Sequence, residues 1–360
     1  MLKLSKELYL QKFNLVSEFS DEKATFHYSD KVFTIHAGTA NSYIVIKEDK
    51  DLGEEPFTFT VDSETFTHIH RILKSGDINL AVKDKGLSLQ AKSFENTYHL
   101  LSSDTSNVSF GGYEPSFVIN RGEFEEALTL SEHGLKDSIK LNKVYTGFTF
   151  AVSPEYVRLF TLHTKELIRY TFKSVEIFAE NELLPFCLPQ TITPIVKNIT
   201  DDKIKVSTKG KKVLLETESG ISIVLGLLIG EFPKFQDVSK LMDDTESQPE
   251  PVVFDTKQLK EAIDSVFYFT EKSKLHAITL NFNDKNAIIN VKGSKGNSTT
   301  TVTAQYPEGH AEVFLQATIV RNLLMKVATE TTTFRIDTKL GRLYYSQGNL
   351  DVILVLLRKT

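Results

Sequence analysis

Apolar positions along the chain fall into a pattern that repeats. Phe66, Ile69, His70 and Leu73 stand at i, i+3, i+4 and i+7, the spacing of one helix face. The same spacing returns at Ile192, Ile195, Val196 and Ile199, and again at Val320, Leu323, Leu324 and Val327. From Phe66 to Ile192 is 126 positions, and from Ile192 to Val320 is 128. Each of these helices is followed by two runs that alternate apolar and polar residues around a short turn, which predicts a strand pair. They are Ile78–Val82 and Leu87–Ala91, then Ile204–Val206 and Val213–Leu215, then Phe334–Ile336 and Leu343–Tyr345. Each copy closes on a further apolar strand.

A second helical face precedes each of these units: Tyr9, Lys12, Phe13, Val16; Phe124, Ala127, Leu128, Ser131; Leu259, Ala262, Ile263, Val266. Asn120 with Glu123, and Asp255 with Gln258, have the residue types of capping boxes ahead of the last two. Hairpins follow, with turns predicted at Ser29-Asp30, Ser153-Pro154 and Asn283-Asp284. Two polar stretches, Ser102–Pro115 and Ser239–Pro251, read as linkers. A period this long exceeds that of solenoid and propeller repeats, so each copy is expected to have its own core. The expected domains are residues 1–113, 114–242 and 250–360, each with two helices and antiparallel sheets, an α+β architecture.

Composition narrows the classes. The 360 residues hold 42 Lys and Arg against 47 Asp and Glu, which argues against a uniformly basic surface. The single cysteine, Cys187, allows no internal disulfide and no multi-cysteine metal site. With no run of about 20 apolar residues and no signal-like N-terminus, no membrane partner is expected and the expected location is the cytoplasm.

The repeat pattern, with three local segments, resembles the bacterial sliding clamp, the β subunit of DNA polymerase III, over essentially the whole chain. Leu225–Val238 is similar to the family's R-L-I-x-G-x-F-P-D-Y-x-x-V segment, matching it at Gly230, Phe232, Pro233 and Val238. Tyr145-Thr-Gly-Phe148 resembles the family's L-T-G-V strand, and Val352–Arg358 resembles its apolar tail. Where the family has A-T-D-G-H-R-L, this chain reads Thr161-Leu-His-Thr-Lys-Glu-Leu167, keeping only the leucine.

The resemblance implies three clamp domains per chain and a head-to-tail homodimeric ring that surrounds duplex DNA without reading its sequence. It also implies no catalysis and no cofactor. Candidate DNA contacts are Lys23, Arg71, Lys74, Lys140, Asn142, Lys143, Lys197, Lys257, Lys260, Arg321 and Lys326. Cations that hold phosphates by counterion exchange let a protein slide. The Glu-rich helix over Asn120–Glu132 makes such a lining uneven in charge. The resemblance further implies a cleft that takes short linear peptides from a polymerase and a clamp loader. Its candidate residues are Tyr145, Leu162, Thr164, Lys165, Leu167, Pro233, Val238, Ile353, Leu354, Val355, Leu356, Leu357 and Arg358. Alternate residues of Ile353–Leu357 are expected to be strand core. Glu166 and Asp237 fall where the family has arginines, which implies a rim of reversed charge. Ring closure is expected at Val108, Phe110, Phe269 and Leu275.

Other chemistry is absent from the sequence. It has no Gly-rich phosphate loop, and His68-Ile-His70 lacks the i, i+4 spacing that puts two metal ligands on one helix face. His70 is expected to pack, Cys187 to be a buried inert thiol, and Asp243-Asp244 with Glu246 to be an acidic linker. The alternatives are a clamp-like interaction platform that does not encircle DNA and a β-rich enzyme or carbohydrate binder.

Overall fold

The computed structural model describes residues 2–21, 23–52, 55–83, 86–92, 94–102, 110–135, 143–163, 165–231, 235–243, 249–270, 277–283, 285–293, 295–306 and 310–357. The first elements are β1 (Leu2–Leu4), α1 (Lys6–Ser17), β2 (Lys23–Ser29), β3 (Val32–Gly38), β4 (Tyr43–Asp49), β5 (Phe57–Asp62), α2 (Ser63–Ser75), β6 (Ile78–Lys83), β7 (Gly86–Ala91) and β8 (Phe94–His99). There follow β9 (Glu114–Asn120), α3 (Arg121–Ser131), β10 (Gly147–Val152), β11 (Val157–His163), β12 (Glu166–Thr171), β13 (Val175–Ile177), β14 (Phe186–Pro189), α4 (Ile192–Asn198), β15 (Lys203–Lys209), β16 (Lys212–Glu216), β17 (Ile221–Gly226) and α5 (Phe235–Asp243). The last are β18 (Pro251–Asp255), α6 (Thr256–Thr270), β19 (Ala277–Phe282), β20 (Asn286–Gly293), β21 (Gly296–Gln305), β22 (Ala311–Gln316), α7 (Ala317–Lys326), β23 (Thr331–Asp337), β24 (Arg342–Gln347) and β25 (Leu350–Val355).

All six predicted helices form where their apolar spacing places them. The extra helix α5 takes in Ser239–Asp243, which the sequence reading assigned to a linker. Val238, Leu241 and Met242 stand at i, i+3 and i+4, so the helical signal runs into the polar stretch. Asp62 caps α2 by accepting from the Thr65 amide at 2.7 Å. Of the two expected capping boxes, Asp255 accepts from the Gln258 amide at 2.7 Å and Asn120 from the Glu123 amide at 3.1 Å. The Asn120 amide that would close the box donates to the Ser174 carbonyl at 3.1 Å, and the Glu123 carboxylate accepts from the Ser174 amide at 2.7 Å. The first hairpin turns at Asp30-Lys31, one residue beyond the expected pair. Both have positive φ, 51° and 64°, as the tight turn that matches strand twist requires.

The chain divides into two compact units, one of Met1–Leu128, Val152–Val157 and Ser174–Ile229, the other of Thr129–Ala151, Arg158–Lys173 and Gly230–Thr360. The first holds a sheet ordered β1-β6-β7-β8 and another ordered β13-β9-β15-β16-β17-β4-β3-β2-β5. In the latter, β17 pairs antiparallel with β4, Ile221 opposite Ile46, so strands of the first and second repeats share one sheet. Its core packs Phe13 of α1 on Phe66 of α2 (centroids 5.1 Å, 18° between planes) and Phe26 on Phe59 (4.7 Å, 14°), all buried. Truncating any of these rings to alanine is expected to cost roughly 3–5 kcal/mol.

Within the second unit the sheet runs β10-β11-β12-β25-β24-β23-β18-β21-β20-β19-β22. Here β12 pairs antiparallel with β25, Leu167 opposite Ile353 and Arg169 opposite Asp351, so the second and third repeats are joined strand to strand. Leu259, Ile263 and Val266 of α6 and Val320, Leu323 and Leu324 of α7 are buried with Phe254, which sits edge-on to Phe282 and Phe334. Among the described residues no helix is long and apolar enough to cross a membrane.

Candidate functional site

The candidate cleft residues that the structure describes all lie in the second unit. Strand alternation fixes the first of them. Leu162 stands opposite Leu167 across the β11–β12 pair, and Leu167 opposite Ile353 across β12–β25. Ile353 and Leu354 are buried and belong to the core, while Val355 is 45% exposed and Leu356 and Leu357 are half-buried. Within the terminal strand, apolar side chains therefore reach the surface where it ends, and Leu162 and Leu167 are half-buried beside it. That end is anchored on both sides, since the Leu356 amide donates to the Gly341 carbonyl and the Leu357 amide to the Phe314 carbonyl, each at 2.8 Å.

The tail so held makes one wall of a groove of about 430 Å³. Its other walls are Glu312, Val313 and Phe314 of β22 and the turn Thr338–Gly341, whose Leu340 is 61% exposed. The sequence reading missed these walls. An apolar leucine at the tip of a turn was the one available signal, since the register that sets β22 beside the tail is a long-range property.

Lys165 closes the β11–β12 turn. Its ammonium donates to Gln316 Oε1 at 3.0 Å and its carbonyl accepts from the Val355 amide at 2.9 Å. Glu166 is buried and places no charge on a rim; Asp237, in the first turn of α5, is exposed. The reversed rim charge is thus reduced to one residue, because strand pairing with Leu354 turns Glu166 inward. Tyr145 is half-buried in the 3-10 turn Lys143–Thr146, and Val238 is half-buried on α5. Thr164, Pro233 and Arg358 lie outside the described residues.

Of the candidate DNA contacts in the first unit, Arg71 and Lys74 are exposed on α2, Lys197 is exposed in the last turn of α4, and Lys23 is half-buried at the start of β2. In the second unit Lys143 and Lys257 are exposed. Three others there are engaged within the chain. Lys260 donates to the Val327 carbonyl at 2.7 Å, and Lys326 to that of Thr129. Arg321 pairs with Asp264 at 2.6 Å and lies 4.6 Å from the Phe267 ring centre. Lys140 and Asn142 lie outside the described residues. A further groove of about 570 Å³ in the first unit runs beside α1. There Tyr9 donates to Glu48 at 2.9 Å, Lys50 donates to the Tyr9 hydroxyl at 3.0 Å, and Lys12 pairs with Glu48. Burial, reinforced by Lys50, holds the Lys12 ammonium below its usual value.

Among the described residues, β8 and β21 are two of the strands that leave an edge open. In the first unit β8 pairs with β7 alone over Phe94–His99 and ends its sheet, with Phe94 exposed. In the second, β21 pairs with β20 along Gly296–Thr303, while β18 reaches only Ala304 and Gln305 on its other side. Among the described residues, the stretch Asn297–Thr303 has no strand on that side, and it carries no charged side chain. Such edges invite pairing with another chain. Of the expected interface residues, Phe110 instead sets its ring 6.2 Å from that of Tyr43 in its own unit, and Phe269 is half-buried against Tyr268. Val108 and Leu275 lie outside the described residues.

The histidines, the cysteine and the acidic run for which no metal or redox role was expected make other contacts where the structure describes them. His68 Nδ1 lies 3.0 Å from the Tyr98 hydroxyl and His70 Nε2 lies 2.8 Å from Asn14 Oδ1, so the two rings serve different contacts. Cys187 is a buried thiol in β14, its Sγ 3.8 Å from the Leu188 carbonyl oxygen. Asp243 is engaged by arginines, and Asp244 and Glu246 lie outside the described residues.

No protein-family model matches the sequence, and no curated protein resembles it at the sequence level. Solved structures do resemble it. The sliding clamp of Pseudomonas aeruginosa bound to griselimycin superposes with a TM-score of 0.86 at 15% identity, with 99% of each chain covered. The DNA polymerase III beta subunit of Thermotoga maritima gives 0.84 at 15% identity, covering 100% of this chain and 99% of that one. The beta sliding clamp of C. crescentus gives 0.84 at 13%, covering 99% and 98%. The chain is therefore α+β and carries the fold of the bacterial sliding clamp over nearly its whole length.

Proposed function

We propose that the chain is a DNA sliding clamp, a non-catalytic processivity factor built of three clamp domains, residues 1–113, 114–242 and 250–360. Two copies close head to tail around duplex DNA. The observation that carries this reading is that β8 in one unit and β21 in the other each leave an edge open among the described residues, on a chain that has the clamp fold. Pairing β8 of one protomer with β21 of its partner uses two different surfaces, and a heterologous contact of that kind builds a ring when its rotation closes. β8 then joins Val108 and Phe110 on this side of the interface, with the Phe110 ring also against Tyr43 in its own unit.

The exposed cations Arg71, Lys74, Lys143, Lys197 and Lys257 supply a loose, sequence-independent hold on phosphates. Arg321 contributes less because Asp264 offsets its charge, and Lys260 and Lys326 because their ammonium groups are held on backbone carbonyls. The groove at the chain's end, with Val355, Leu356, Leu357 and Leu340, suits the Leu or Phe side chain of a linear peptide from a polymerase or a clamp loader.

The test is topological. Protein diluted to monomer and reconcentrated with nicked circular plasmid is expected to co-sediment with the circle in high salt, and to be lost when the plasmid is cut once. Equal loss from circle and line contradicts encirclement.

A further inference from the structure

We propose that Arg169 is a positioning residue for the peptide cleft: its guanidinium ties together three of the elements that carry the cleft's candidate residues. Arg169 lies on β12, whose Leu167 is two residues away on the same strand face. Its Nε and Nη2 reach Asp351 Oδ2 on β25 at 2.9 and 2.8 Å, and β25 carries Ile353 and Val355. Its Nη1 reaches Asp243 Oδ1 at 2.6 Å, at the end of α5, which carries Val238. The role rests on the cleft reading given above.

The charges are arranged so that the two ties are separable. The Arg169 side chain is 7% exposed, so its charge needs compensation inside the protein. Asp351 supplies it across the β12–β25 seam, and its other oxygen is held by the Ser346 hydroxyl at 2.7 Å. Asp243 supplies a second carboxylate that the seam does not require. It also faces Arg158, whose Nη1 lies 3.7 Å from Asp243 Oδ2 and donates to Ser239 at 3.3 Å. Two arginines on the sheet therefore meet one carboxylate on α5, and they hold the last turn of that helix down. Lysine cannot replace Arg169 fully, because a single ammonium lacks the fork that serves two carboxylates at once.

The experiment compares the full chain with D243N, D243E and R169K. It reads hydrogen exchange and the anisotropy of a fluorescein-labelled hexapeptide ending in Leu-Phe. In D243N the amides of α5 are expected to exchange about tenfold faster and the probe to bind about tenfold more weakly, the loss of one charge-assisted tie. Amides of β12 and β25 keep wild-type protection, which a general loss of stability would not allow. D243E restores both readouts, and R169K falls between. Wild-type probe affinity in D243N, or exchange that rises equally across the unit, overturns the positioning role alone. Failure of the wild-type chain to capture the probe defeats the cleft reading, and this role with it.

Discussion

His70 turns the packing of the first unit into a number. The ring is buried between α1 and α2, with Nε2 against Asn14 Oδ1, an acceptor, so the neutral imidazole carries its proton there. Burial first, and then the charge of Lys74, pull the group from an ordinary 6.5 to about 4. Between those two values the unfolded chain binds a proton that the folded chain refuses, so stability falls as the pH drops from 6.5 toward 4. The whole swing is worth about 3 kcal/mol, of which about 2 kcal/mol is lost between pH 7 and pH 5. In His70→Gln that share is expected to vanish. His36, whose imidazole is also held low by burial, stays in both proteins and cancels. Urea unfolding followed by circular dichroism at pH 7 and 5 gives the difference, and a histidine NMR titration gives the group directly. A wild-type loss within about 0.5 kcal/mol of the variant's, or a His70 titration near 6.5, refutes the packing account.

Three further outcomes follow from named contacts. In Thr299→Lys/Thr301→Lys, charges on the open edge of β21 should convert the proposed dimer to 40.6 kDa monomer at micromolar concentration while leaving the far-UV spectrum unchanged. Gly293→Ala puts a methyl group into the Phe269 carbonyl at the α6–β20 approach; a loss of roughly 1–3 kcal/mol in urea unfolding is expected. Asp62→Ala removes the α2 cap and should cost about 1 kcal/mol, read as a lower unfolding midpoint with an unchanged slope.

The helices were legible because each depends on residues three and four apart, as in Phe66–Leu73 and Leu259–Val266. Hairpins were legible for the same local reason, with the turn at Asp30-Lys31 displaced by one residue because the sign of φ decides it. What sequence spacing does not carry is which strands meet. The register that turns Glu166 inward against Leu354 joins residues 188 positions apart, and the β22 wall meets the tail through Phe314 and Leu357, 43 apart. The open edges of β8 and β21 are legible only once every neighbour is known. Charged candidates fared unevenly for a related reason. A lysine on a helix face reads the same whether it is free like Lys257 or spent on a carbonyl like Lys260. The helix α5 was hidden by its polar surroundings, and its tie to Arg169 joins side chains 74 residues apart.

Native mass by size-exclusion chromatography with light scattering tests the two-subunit ring most directly. The account predicts about 81 kDa, twice the 40.6 kDa chain, at micromolar concentration. A stable species of 40.6 kDa across that range would contradict it.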